Sequence, residues 1–294
     1  MCGLFGAIKL NRMNTISSNL VFKNGKEMET RGTHAVGWCQ SIMNQHLEYE
    51  KFVGATSKHK RALKNALLDC SSLIGHTRHA THGSVNDEIN NHPHLYATEN
   101  VVGAVTHNGV IFNHENIAKR NGVKMEGECD SEIIARLLEI DDSKPLHERI
   151  ADAVNACEDD DSIALAVLEC DTLNNETNLC LVTRGNPIHY AIRNGVLYYA
   201  STPNKLPAGS VKLKENTIMQ VTEKVGIVDS WHNMMKTYYE GINWNTYGSG
   251  FRGNGKASLP SNRNCQNSFS LDTEHDSFDD WCWSRSTERD RFTL

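Results

Sequence analysis

Residues 2–10 (CGLFGAIKL) open the chain as an apolar run with the pattern of a β-strand. Residues 16–29 are polar with some helical spacing, and Gly25 predicts a break in that helix. Residues 31–37 (RGTHAVG) read as a loop feeding a strand through Trp38 to Ile42, and 46–53 (HLEYEKFV) alternate as its hairpin partner. Residues 57–69 place Ala62, Leu63, Ala66 and Leu67 on one helical face. Ser72 to His76 is a short strand running into a histidine-rich loop, and 101–107 (VVGAVTH) is another strand. Asn108-Gly109 then stands between apolar runs, which is first of all a hairpin turn signal.

Two helices follow. One opens at Asp130 and turns Ile133, Ile134, Leu137 and Leu138 to one side. The other spans 145–157, with Pro145 in its first turn and Leu146, Ile150, Ala153 and Val154 facing inward. From 162 the pattern returns to strands, with a second Asn-Gly signal at Asn194-Gly195. Strands, then helices, then strands predict antiparallel sheets covered by helices rather than a βαβ repeat. After about residue 231 the apolar periodicity stops. Residues 231–294 are therefore expected to form a low-complexity, disordered tail on a domain of residues 2–230.

Composition narrows the classes. A net charge of −6 with no basic cluster argues against nucleic acid as a partner. No apolar run approaches a membrane span, and the start lacks the basic and long apolar regions of a secretory signal. Nine cysteines without regular spacing fit a reducing cytoplasm, the expected location. Gly248, Gly250 and Gly253 imitate a dinucleotide fingerprint, but no strand precedes them and no helix follows, so no nucleotide cofactor is expected. His76, His79 and His82 are spaced by three, yet the sequence around them is not helical. The reading favours a hydrogen-bonding loop that lines a pocket, and no metal.

The chemistry begins at Cys2. A cysteine directly after the initiator methionine becomes the first residue when Met1 is removed. It then carries a nucleophilic thiol and a free α-amine of pKa about 8, a nucleophile and a base on one residue. The plain alternative is one buried cysteine among nine.

Five motifs occur in one order: Cys2-Gly3-Leu4-Phe5-Gly6, Arg31-Gly32, residues 75–83 (GHTRHATHG), His107-Asn108-Gly109, and Asp130 in Cys-Asp-Ser-Glu. Together they closely resemble the glutaminase domain of class II (N-terminal nucleophile) glutamine amidotransferases, most of all that of the glucosamine-6-phosphate synthase type. The resemblance covers about residues 2–230. It implies the N-terminal nucleophile hydrolase fold, an α+β four-layer αββα sandwich of two antiparallel sheets.

The resemblance also implies roles. Cys2 attacks the side-chain amide of L-glutamine, and Asn108 and Gly109 form the oxyanion hole, each donor worth about 3–4 kcal/mol in the transition state. Arg78 grips the α-carboxylate, Asp130 pairs with the α-ammonium, Thr81 and His82 line the pocket, and Arg31 supports the nucleophile strand. Singly, Asp130 also reads as a helix N-cap and Arg78 as a surface ion pair. His79 replaces a tryptophan of that type, and Thr33-His34-Ala35 replaces an aromatic, Asp and Ser. Only 54 residues follow position 240, without a recognisable synthase domain, so the expected partner is a separate ammonia-accepting synthase. Two other readings stay open: an amidohydrolase for another amide, and a silent glutamine-binding protein.

Overall fold

The computed structural model describes residues 2–42, 46–80, 83–159, 161–174, 176–232, 234–235 and 283–285. The described strands are β1 Gly3–Lys9, β2 Ala35–Ile42, β3 Leu47–Val53, β4 Cys70–Arg78, β5 His94–Ala97, β6 Val101–Gly109, β7 Ile163–Asp171, β8 Glu176–Arg184, β9 His189–Arg193, β10 Val196–Ala200, β11 Val211–Lys212, β12 Thr217–Thr222, β13 Gly226–His232 and β14 Trp283–Arg285. The helices are α1 Ser18–Glu27, α2 Lys60–Ala66, α3 His114–Asn121, α4 Glu132–Leu138 and α5 Leu146–Ala156. One sheet has the order β11-β9-β10-β1-β4-β2-β3-β14, the other β13-β12-β8-β7-β6-β5. Among the described strands every ladder is antiparallel except β14 on β3.

Residue alternation along β1 explains the layering. Leu4 and Ile8 turn toward the second sheet and pack with Ala164, Ala166, Leu179 and Leu181. Phe5 and Ala7 turn the other way, onto Val21 of α1 and Leu63 of α2. Successive side chains leave opposite faces of a strand, so a strand covered on both faces reads as a continuous apolar run. The second sheet repeats this: Val105, Leu165, Val167 and Val182 pack beneath Ile117, Ile133, Ile134, Ile150 and Val154 of α3–α5. The result is helix, sheet, sheet, helix.

Several local expectations change. Helix α1 runs unbroken through Gly25, because a Cβ there would stand 3.0 Å from the Phe5 ring; the glycine permits close approach of helix to strand. β4 extends to Arg78, so Thr77 and Arg78 continue a buried strand rather than opening a loop. Asn108-Gly109 is not a turn: both residues continue β6, opposite Ala164 and Ile163 of β7. Asn194-Gly195 is the turn between β9 and β10, with φ of 51° and 68° as a type I′ hairpin needs. Pro145 caps α5 from outside its first turn. β13 continues to His232, and Met235 is buried against the helical side of the second sheet. Most of the expected tail, including the glycine motif at 248–253, lies outside the described residues.

Phe5 is fully buried where β1 meets α1. Phe5→Ala is expected to cost about 3–5 kcal/mol, read as a lowered urea midpoint at constant slope.

Candidate active site

Three strand ends meet at one place. Gly3 pairs with Thr77, so Cys2 and Arg78 flank the same end of the β1–β4 ladder. Two residues earlier on β4, His76 Nε2 donates to the His107 carbonyl on β6 at 2.9 Å. Because the partner is a carbonyl, Nε2 must hold the proton. Burial pushes the His76 pKa down to about 3, so the ring is neutral at ordinary pH. This bond joins the two sheets beside the end of β6, where Asn108 and Gly109 stand.

The Cys2 thiol is half-buried against the backbone of His79. His79 N donates to Sγ at 3.4 Å, and Sγ lies 3.7 Å from the His79 carbonyl. Arg31 follows the 3₁₀ turn Met28–Thr30, and its Nε donates to the Cys2 carbonyl at 2.6 Å. Burial pushes the thiol pKa up, while the His79 amide and Arg78 pull it back and Asp130 pushes it up again. The net shift is upward, so attack needs a base.

Arg78 is buried, which removes the surface ion-pair reading. Its Nη1 donates to Asn91 Oδ1 at 2.9 Å and its Nη2 to the Gly83 carbonyl at 3.2 Å. Gly32 lies against its backbone, where a Cβ would come within 2.5 Å of the Arg78 carbonyl carbon. Asp130 precedes α4, whose N-cap is Ser131. The Asp130 carboxylate reaches across to accept from Ile111 N at 2.7 Å.

The Asn108 carbonyl accepts from Asn186 Nδ2 at 2.9 Å. Its own Nδ2 is buried with no hydrogen-bond partner among the described residues, an unspent donor in the interior. A Cβ at Gly109 would stand 1.8 Å from the Ser162 carbonyl oxygen, so only glycine fits. Thr81 and His82 lie outside the described residues.

Other contributors were not singled out as site residues from the sequence. Asn91 braces Arg78, and Asn186 braces Asn108. The His34 ring stacks on His79 at 4.7 Å between centroids and accepts from Ala80 N at 3.1 Å, forming one wall beside the nucleophile.

No protein-family model matches the chain. It is 30% identical over 204 residues to a glutamine–fructose-6-phosphate aminotransferase from Idiomarina loihiensis, covering 68% of this chain and 32% of that protein. A Thermotoga maritima protein of the same name is 29% identical over 255 residues, covering 83% and 39%. The chain thus spans roughly a third of the length of these relatives. In fold it is similar to glutamine phosphoribosylpyrophosphate amidotransferase from B. subtilis, with a TM-score of 0.63, 18% identity, and 82% of this chain and 50% of that one covered.

The architecture is therefore that of the N-terminal nucleophile amidotransferases, a four-layer αββα sandwich. The chain is a relative of the class II glutamine amidotransferases, and its similarity is to part of the proteins named glutamine–fructose-6-phosphate aminotransferase.

Asn91→Ala removes an acceptor from a buried guanidinium. It is expected to lower stability by about 1–3 kcal/mol in urea unfolding.

Proposed function

We propose that this chain is a glutaminase that hydrolyses L-glutamine to glutamate and ammonia, and that the ammonia passes to a separate synthase. The observation that supports the reading is that the Cys2 thiol and Arg78 flank one end of the β1–β4 ladder, which His76 ties to the strand end carrying Asn108 and Gly109. Arg78 and Asp130 both lie within electrostatic reach of Cys2. A free amino acid presents a carboxylate and an ammonium, and those two side chains are their complements.

In this reading Met1 is removed and the Cys2 α-amine accepts the thiol proton. Sγ attacks the glutamine amide carbon. The oxyanion that forms takes hydrogen bonds from the unspent Asn108 Nδ2 and the Gly109 N–H. The proton passes from the amine to the leaving nitrogen, ammonia departs, and a γ-glutamyl thioester remains on Cys2. Water attacks that thioester, giving glutamate and restoring the thiol. Arg31 holds the carbonyl of the nucleophile residue, which fixes the direction of its side chain. No helix among the described residues is long and apolar enough to cross a membrane, and a cytoplasmic setting fits the scattered free thiols.

Cys2→Ala is expected to abolish ammonia release from glutamine, measured by a coupled glutamate assay on protein whose intact mass shows Met1 missing. Undiminished turnover in that variant contradicts the reading. Asn108→Ala is expected to lower kcat about 10²–10³-fold with little change in KM, because its amide acts on the oxyanion and not on the bound substrate.

A further inference from the structure

The histidine-rich segment supplies a second cluster that glutamine hydrolysis does not use. His92, His94 and Cys129 are buried, and one donor atom from each lies within 4.8 Å of the others. Among the described residues, neither ring nitrogen of His92 has a hydrogen-bond partner, nor does Nε2 of His94. Buried polar atoms are ordinarily paired, so orphaned imidazole nitrogens gathered beside a thiol mark a place built for a ligand. The cluster is distinct from the triplet at 76, 79 and 82: His76 is spent on the His107 carbonyl, and His79 is stacked on His34.

We propose that His92, His94 and Cys129 bind one zinc ion. Two imidazoles and a thiolate form a borderline-soft donor set, which suits zinc and excludes magnesium or calcium as resident ions. Zinc bonds of roughly 2.0–2.3 Å at tetrahedral angles bring donors to roughly 3.3–3.8 Å apart. The widest pair, at most 4.8 Å, then closes by about 1 Å as the ion loads, within reach of side-chain rotation. Water takes the fourth position.

Placement gives the ion a structural task. His92 follows Asn91, which holds Arg78, and Cys129 precedes Asp130. One ion therefore clamps the two chain segments that flank these charged groups. The expectation from sequence was no metal, a reading made on His76, His79 and His82; Cys129 stands far along the chain from His92 and His94.

The test uses the full chain carrying Cys2→Ala, so that the reactive thiol contributes nothing and the outcome is independent of glutamine hydrolysis. The protein is stripped with a chelator, loaded with Zn²⁺, passed through gel filtration and analysed for metal by mass spectrometry. One zinc per chain and a raised Tm are expected. His94→Asn and Cys129→Ser are each expected to lose the metal, and His79→Asn to keep it. Should the His94 and Cys129 variants not fold, Co²⁺ loading of the Cys2→Ala protein decides: a thiolate-to-cobalt charge-transfer band is expected. Zinc that washes off, zinc retained equally after Cys129→Ser, or a cobalt spectrum without that band overturns the proposal.

Discussion

The hydrogen bond from His76 to the His107 carbonyl, 2.9 Å long, crosses from one sheet to the other at the end where the candidate chemistry stands. The surrounding arrangement depends on it. The strands on either side are packed by apolar side chains, and hydrophobic contact is non-directional. A buried, directional bond fixes which residue of β4 faces which residue of β6. From that register follows the position of Arg78 two residues along one strand and of Asn108 one residue along the other. Burial holds His76 neutral down to a pKa of about 3, so the bond keeps one protonation state across the physiological range.

Around that tie, each functional group is held by a neighbour rather than by its own element. Arg31 grips the Cys2 carbonyl, Asn91 the Arg78 guanidinium, Asn186 the Asn108 carbonyl, and Asp130 the Ile111 amide. Glycines at 32 and 109 admit backbone where a methyl group would overlap it. The braces leave the thiol and the Asn108 amide uncommitted to strong partners. The closest polar contacts of Sγ are long backbone ones, and Asn108 Nδ2 has none among the described residues. Donors held in place before substrate arrives need little reorganisation during reaction.

Much of this was readable along the chain. β1 was visible as an apolar run, and the β9–β10 hairpin as Asn194-Gly195, because both signals are local. The same dipeptide at 108–109 misleads, since its role is set by pairing with β7 more than fifty residues later. Gly25 reads as a breaker when its cause is the Phe5 ring on another element. Helix α3 buries only Ile117 and so leaves no periodic trace, and β5 spans only His94–Ala97. Cys2, Arg78, Asn108 and Asp130 were singled out by their motifs taken together, while singly Arg78 and Asp130 stayed ambiguous until burial and partners were known. Asn91, Asn186 and His34 act through contacts between distant parts of the chain, and local pattern carries no record of those.

The central claim is that one thiol, released beside its own amine, faces a site shaped for glutamine. The most direct measurement is covalent labelling with a glutamine analogue bearing an electrophilic ketone at the amide position, followed by peptide mapping. The account predicts a label on Cys2 alone, only in chains that have lost Met1, and suppressed by excess L-glutamine. Labelling of other cysteines, or labelling of Cys2 that L-glutamine does not suppress, contradicts it.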